Sequence, residues 1–468
     1  MKVDFDTIPG SIRVPGRYIE FNTKTAVSGL PQNPQKMVLI ALMTAAGSQT
    51  PNVPVNLFSD VQAADLFGAG SWAHLCVRQA FTNNQYLDLT VIGVADAADG
   101  AQAATAGVTV SGLPATAGTA TVVLGGVAYA TSVNADDTPD TVAGRLRTLL
   151  GTADSPAAAG SAAAVSLTAK CKGEIGNELA LSASTTATGL KVSVTPFSGG
   201  EGNADISAAL NAVAGKRYHI VCSAFGDDAN AKRLSAHLTA VSNAIEKRGA
   251  IGVIGQRGTL AAATTFAGKL NDGRISVPWY KRAVEGSAII AAGYAAVLAF
   301  EEDPAKPLNT LEVKGLGITS DADWPVYAEL NNALYNGITP LTVVNNKVQI
   351  LRAVSTYTKN ATGTDDPALL DITTIRTLDY VRDAVDQRVA LRFPREKLHE
   401  RTPKKVRSEI LDVLLKLEEA EIIESVMANA HLLIVERDPN DPNRLNVVIP
   451  VDVVNGLHVF AARIDLYL

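Results

Sequence analysis

Cysteine is scarce in this chain: Cys76, Cys171 and Cys222 are three thiols in 468 residues. The number is odd and no Cys-x-x-Cys spacing occurs, which argues against a disulfide framework or structural zinc and fits a reducing compartment. The six histidines are dispersed; His219, His237, His399 and His458 have no partner at ligand spacing, so core or surface roles explain them. No cofactor is expected. Aromatics are 5% of the chain, and between Ala98 and Gly202 only Tyr129 and Phe197 occur. Long hydrophobic runs are missing too. The most apolar stretch, Gly286 to Phe300 (GSAIIAAGYAAVLAF), falls short of the ~20 residues a membrane span needs and runs into Glu301-Glu302-Asp303. It reads as a buried helix with small residues for close packing, and no membrane insertion is expected. There is no excess of positive charge: the net charge of −6 excludes the whole chain as an electrostatic binder of nucleic acid. Met1 to Asp6 contains no apolar signal core, so synthesis in a cytoplasm without visible export is expected.

Catalytic signatures are equally absent. There is no Gly-x-x-x-x-Gly-Lys-Ser/Thr loop and no His-Glu-x-x-His. Gly68-Ala69-Gly70-Ser71-Trp72 is not a Gly-x-Ser-x-Gly elbow, and Ser71 reads as a helix N-cap. Gly249 to Gly255 does not match the dinucleotide fingerprint; its glycines suit tight backbone packing. Asp227-Asp228 and Asp365-Asp366 sit at helix starts or turns, where capping accounts for them.

What is present is a strand–helix rhythm. The hydrophobic share of 47% supports packed cores, and the length suggests roughly two to four domains at ~100–200 residues each. Strands are expected at 36–44, 87–94, 218–224, 250–254 and 275–280, with helices at 59–68, 71–83, 227–247 and 286–300 and a helical turn at 266–270. The pattern argues for a largely parallel sheet covered by helices. From Ala98 to Gly202 the composition turns to Ala, Gly, Thr, Ser and Val. A hairpin across Gly125-Gly126, a helix at 138–150 and strands at 164–169 and 190–195 suggest a small β-rich domain, and the periodic Val and Leu argue against a flexible linker. Beyond Asn360 to Pro367 come helices at 372–388 and 404–417, then strands at 431–436, 445–454 and 457–468. The expected fold is thus α/β multidomain: a central sheet covered by helices (23–97 and 203–358), an inserted β-rich peripheral domain (98–202), an α+β C-terminal domain (359–456), and extended arms at 1–22 and 457–468.

The two ends are the most informative segments. Leu457 to Leu468 (LHVFAARIDLYL) alternates with period two, placing Phe460, Ile464, Leu466 and Leu468 on one face. Phe5 to Gly16, with Ile8, Ile12 and Val14, is broken by two Pro-Gly pairs and is extended. Extended termini equip a chain for strand addition between subunits; the alternative is local docking, with Asn455-Gly456 as a tight hairpin. A basic cluster stands between Arg388 and Arg407: Arg388, Arg392, Arg395, Lys397, Arg401, Lys404, Lys405 and Arg407 face only Glu396 and Glu400. It is either a solvated face or the dock for an acidic partner.

These segments carry a resemblance. Ile8 to Phe21 (IPGSIRVPGRYIEF), Phe58 to Ser71 (FSDVQAADLFGAGS), Leu330 to Pro340 (LNNALYNGITP), Gln349 to Tyr357 (QILRAVSTY) and Val451 to Gly456 (VDVVNG) are similar, in this order, to segments of bacteriophage contractile-tail sheath proteins of the Mu-like type. The likeness spans most of the chain, is weak between Ala98 and Gly202, and departs from many sheaths in lacking Trp-Gly near 348–356. It implies a structural subunit, not an enzyme, that polymerises helically around a tail tube and contracts to drive the tube through a host envelope. The implied partners are further copies of the chain, the tube protein, and baseplate and tail terminator proteins, in a virion assembled in host cytoplasm. It also implies exchange of strands bearing Ile8, Ile12, Val14, Phe460, Ile464, Leu466 and Leu468, and suggests that Arg388, Arg392, Arg395, Arg401, Lys404, Lys405 and Arg407 face the tube. The insert is expected on the outside, replaceable by a linker. Two other readings stay open: another tail structural protein (tube, baseplate or adhesin-like), and a cytoplasmic α/β hydrolase.

Overall fold

The run KMVLIAL forms strand β1 (Lys36–Leu42), buried at every position but the first. A strand buried on both faces reads as a continuous apolar run, which is the signature of an interior parallel strand. The computed structural model describes residues 13–19, 29–152, 154–159 and 164–467. After β1 come β2 (Val55–Leu57), α1 (Asp60–Phe67), α2 (Trp72–Asn83) and β3 (Asp88–Val94). The insert contributes β4 (Thr105–Ser111), β5 (Gly118–Leu124), β6 (Val127–Val133), α3 (Pro139–Leu150), β7 (Ala157–Ala159), β8 (Val165–Ala169), β9 (Leu181–Thr185) and β10 (Lys191–Ser198). Then follow α4 (Ser207–Val213), β11 (Ile220–Ser223), α5 (Asp228–Ser242), β12 (Ile251–Ile254), α6 (Leu260–Leu270), β13 (Ile275–Ser276), β14 (Pro278–Trp279) and α7 (Ser287–Phe300). Helix α8 (Tyr327–Tyr335) leads into β15 (Thr339–Val344) and β16 (Lys347–Ile350). The remainder is α9 (Ile372–Arg392), α10 (Thr402–Glu419), β17 (Ile423–Glu424), α11 (Val426–Asn429), β18 (Ile434–Arg437), β19 (Leu445–Val448) and β20 (Asp452–Val453).

The elements fall into two compact units: Pro34–Arg376 with the stretch from Asn455 onward, and Thr377–Val454 with the described residues up to Asn33. In the first, the central sheet has the order β13-β12-β11-β1-β3-β2, with β2 antiparallel to β3 and the other neighbours parallel. Helices α2, α5 and α7 pack on it. Helix α7 is buried on nearly its whole circumference, and its small residues permit that. Gly255 shows the closeness: a β-carbon there would meet the Ser287 carbonyl oxygen at 1.9 Å. Side-chain caps start the helices where the sequence places them. Ser71 accepts from the His74 amide and Asp227 from the Asn230 amide, so capping accounts for both.

The insert is built from the sheets β10-β4-β8-β7 and β6-β5-β9, with α3 packed on β6. Gly125 and Gly126 both take positive φ (57° and 87°), the requirement of the tight hairpin turn between β5 and β6. The second unit carries α9 and α10 and two short antiparallel pairs, β17–β20 and β18–β19.

Several elements differ from expectation for identifiable reasons. Helix α5 stops at Ser242 rather than 247, because the Asn243 side chain accepts from the amides of Ile245 and Glu246 and Lys247 takes a positive φ of 56°. Ile245, beyond the helix end, is exposed. The single strand at 275–280 is two: β13 pairs with β12, and β14 pairs with β15 in another sheet. The helical turn at 266–270 begins earlier, at Leu260, under a Thr259 cap. Pro450, which has no N–H to give, falls in the gap between β19 and β20 where one strand was expected. In the segment 349–357, β16 ends at Ile350, and beyond it only Val354 bridges, to Asp371. The strand expected at 431–436 starts late, at Ile434, after a 3-10 turn at Ala430–Leu432. Leu457 to Tyr467 carries no ladder hydrogen bonds among the described residues, so neither an intrachain strand nor a hairpin at Asn455-Gly456 forms.

Candidate functional site

An alternating segment folds as a strand only if a neighbour supplies the ladder. Among the described residues no neighbour pairs with the segment after Asn455. Phe460, Ile464 and Leu466 are 84%, 95% and 80% exposed, and Leu457, Val459 and Tyr467 are exposed as well. Val14, in the other arm, is exposed, and the Tyr18 hydroxyl donates to its carbonyl at 3.0 Å. Ile8, Ile12 and Leu468 lie outside the described residues. So much apolar surface on one short segment is unusual for a finished surface.

The root of the C-terminal arm is different. The His458 side chain is mostly buried, with Asn309 Nδ2 2.8 Å from its Nδ1 and Asp371 Oδ1 3.5 Å from its Nε2. Asp371 is held in turn by the Arg352 guanidinium through bonds of 2.8 and 2.7 Å. Sequence reasoning gave His458 no special role, and no local signal exists, since Asn309 lies 149 residues away.

The second unit presents strand edges. The pairs β17–β20 and β18–β19 are each two-stranded, with Ile434, Val447 and Val448 exposed. A groove of about 380 Å³ runs between Leu378, Val381, Val385 and Val389 of α9 and the linker residues Ile449 and Val451. Two-stranded pairs are marginal alone and leave donors and acceptors open. In the same unit the Tyr380 hydroxyl donates to the Pro31 carbonyl at 2.8 Å.

The basic cluster does not form one face. Arg388 is buried and bonds Asp412 at 2.7 Å and Glu409 at 3.2 Å. Arg392 lies 3.4 Å from Glu409, and Lys405 pairs with Glu396 at 3.0 Å. Arg407 donates to the carbonyls of Ala430 and Leu433. Arg388, Arg392 and Arg407 are thus held by acceptors of their own unit, whereas the Lys405 side chain is paired but remains mostly exposed. Arg395, Arg401 and Lys404, with Lys397, are exposed.

The insert is seated on the central fold. Helix α7 has Gly286 as its N-cap, without a side-chain cap bond. Glu178, in the insert's 3-10 turn (Glu174–Glu178), takes that role from 109 residues away, accepting from the Ser287 amide at 2.6 Å and the Ser287 hydroxyl at 3.0 Å. A carboxylate here also meets the positive end of the helix dipole. Arg257 donates to the Glu178 carbonyl, and the Lys170 ammonium to the Ala69 carbonyl at 3.1 Å. At the other end of α7 the buried Arg376 donates to the Glu301 carbonyl. Burial raises the pKa of Glu178 against the pull of Ser287 and Arg257, and that of Glu285 likewise against its Gly317 amide bond.

Nothing in these groups assembles a reaction centre. A cleft of about 650 Å³ beside the start of α5 holds Glu174, Asp205, Asp227 and Asp228, but Asp227 caps α5, Lys269 pairs with Asp228, Arg233 pairs with Asp205 at 3.0 Å, and Asn203 bonds Glu174 at 2.9 Å. All three thiols are buried and free; burial raises their pKa values, that of Cys171 to about 12. Among the described residues no group of three or more His, Cys, Asp or Glu is placed to hold a metal, and no helix is long and apolar enough to cross a membrane.

Comparison with known proteins agrees with an assembly role. The phage tail sheath protein central domain matches residues 199–356, and the phage tail sheath C-terminal domain matches residues 364–466. The Mu-like prophage FluMu tail sheath protein of Haemophilus influenzae is 34% identical over 489 aligned positions covering all of both chains. Among solved structures, the sheath tail protein of Desulfitobacterium hafniense superposes with a TM-score of 0.51 at 14% identity, covering 94% of this chain and 100% of that one. The sheath complex of an extracellular contractile injection system in the contracted state gives 0.52 at 11% identity, covering 97% of this chain and 98% of the other. With family models over more than half its length and a full-length relative at that identity, the chain belongs to the phage tail sheath family and is a Mu-like structural subunit of a contractile tail, not an enzyme.

Proposed function

We propose that the subunits form a helical polymer around a tail tube, held together by exchanged arms. The observation that carries this is the arm after His458: a strand by pattern, exposed on its apolar face and, among the described residues, unpaired. Burying Phe460, Ile464, Leu466 and Leu468 in a neighbouring copy supplies what the chain lacks alone. The edges of β18–β19 and β17–β20 and the groove along α9 are suitable acceptors, because main-chain groups give affinity and the groove selects side chains. On this reading the N-terminal arm, with Ile8, Ile12 and Val14, enters the same kind of neighbourhood. A head-to-tail contact that does not close makes a filament, and flexible arms keep neighbours tethered while subunits change packing. Contraction then drives the tube through the host envelope. Baseplate and terminator proteins bind the ends of the polymer, and assembly takes place in host cytoplasm. Arg395, Arg401 and Lys404 face an acidic tube, and the insert lies on the outside.

Electron microscopy of the purified full-length chain tests the reading. Tubes or helical polymers are expected, and a variant ending at His458 should remain folded and monomeric. A full-length protein that stays monomeric at high concentration overturns it.

A further inference from the structure

Asn455-Gly456 is the kind of dipeptide that closes a two-residue hairpin, and alternating apolar residues follow it. A hairpin there would pair Ile464 with Val447 and bury the arm on its own subunit. Among the described residues it does not form: β20 has β17 as its strand partner, and the chain from Asn455 onward groups with Pro34–Arg376. The residues just after the turn are held instead. A β-carbon at Gly456 would lie 2.6 Å from Pro307 Cγ, so this glycine is pressed against Pro307. The Asn309 amide donates to His458 Nδ1, which puts the ring proton on Nε2, facing the Asp371 carboxylate. Arg352 holds Asp371 through both of its oxygens. The neutral ring therefore fits one donor and one acceptor, and it is a held position between exposed Leu457 and exposed Val459 and Phe460.

We propose that His458, seated against Asn309, Asp371 and Pro307, is a peg that keeps the arm from closing the intrachain hairpin and so commits it to a second copy of this chain. This rests on the arm-exchange reading and adds a residue that chooses between exchange and self-pairing. A short hairpin is marginal in water, so one or two polar contacts at its root are enough to decide. A pinned root also releases the arm from a fixed point and lowers the ordering cost of being captured.

The test uses the full-length chain with Ile464→Cys and Val447→Cys, the hairpin partners; the native thiols are buried and do not compete. Oxidation followed by a denaturing gel separates interchain ladders from internally closed monomer. With His458 intact, ladders are expected. His458→Ala should raise the ratio of closed monomer to ladder roughly tenfold, the worth of about one good hydrogen bond. His458→Asn, which can keep an acceptor towards Asn309, should recover most of the ladder. If His458→Ala proves unfolded by circular dichroism, Asn309→Ser removes the same contact from the other side and should give the same shift. An unchanged ratio in the folded variant overturns the peg and leaves arm exchange standing. Closed monomer alone with His458 intact overturns both.

Discussion

Ile464 is 95% exposed in the subunit, so its side chain contributes almost nothing to the subunit's own stability. If a neighbour buries it, Ile464→Ala removes three carbons from that contact. At ~0.8 kcal/mol for each buried carbon the loss is about 2.4 kcal/mol, and with 1.4 kcal/mol per tenfold change the concentration needed to polymerise rises roughly 50-fold. The backbone bonds of the exchanged strand are untouched, so the effect is confined to that term. The assay is pelleting across a concentration series, with thermal unfolding of the dilute subunit measured in parallel. The polymerisation threshold should move and the melting temperature should not. A lowered melting temperature with an unmoved threshold would show that the side chain is buried at home, and the reasoning from exposure to exchange would fail.

Glu178→Ala should destabilise the unit carrying the insert by about 1.5–3 kcal/mol, because it strips two bonds from the start of α7, and denaturant unfolding will read the loss. For the same reason, replacing residues 98–202 by a linker should cost stability unless α7 gains another cap; a linker variant as stable as the parent would refute this. Reversing Arg395, Arg401 and Lys404 to Glu should weaken binding to an acidic tube at low salt and leave melting unchanged, whereas Arg388→Ala should cost about 1.5–3 kcal/mol in unfolding because Glu409 and Asp412 lose their partner. Burial first, then Arg78, holds the His74 pKa below its ordinary 6.5, so the unfolded chain binds the proton more readily. Stability from this group is full above 6.5 and falls as pH drops through the window beneath it. His74→Asn, which can still accept from the Gly70 amide, should flatten that slope in urea titrations.

The elements legible in the sequence were those whose partners are implied by their own pattern. The all-apolar β1 announces an interior parallel strand, and Gly125-Gly126 announces a turn that only two positive-φ residues make easily. Ser71 and Asp227 announce helix starts because a cap acts within three residues. The arm was legible as a strand pattern, but strand pairing is a property of two segments, and among the described residues no second segment pairs with it. The place of Arg388 was illegible for a related reason: charge along a sequence does not say that Glu409 and Asp412, one turn apart on α10, will take Arg388 inward. Glu178 and His458 were invisible because their partners are remote in sequence.

The way Glu178 meets α7 limits how the insert can diverge. An insertion usually drifts freely, since its host is complete without it. Here the host helix begins at a glycine with no room for a β-carbon, which would lie 2.7 Å from the Trp72 ring, and it borrows its cap from the insert. Loops such as the one carrying the exposed Leu113 can change length or composition at little cost. The turn Glu174–Glu178 cannot change apart from the start of α7. A tail that shed or exchanged this module would have to find a new acceptor for the Ser287 amide at the same time, so the module is inherited together with its socket.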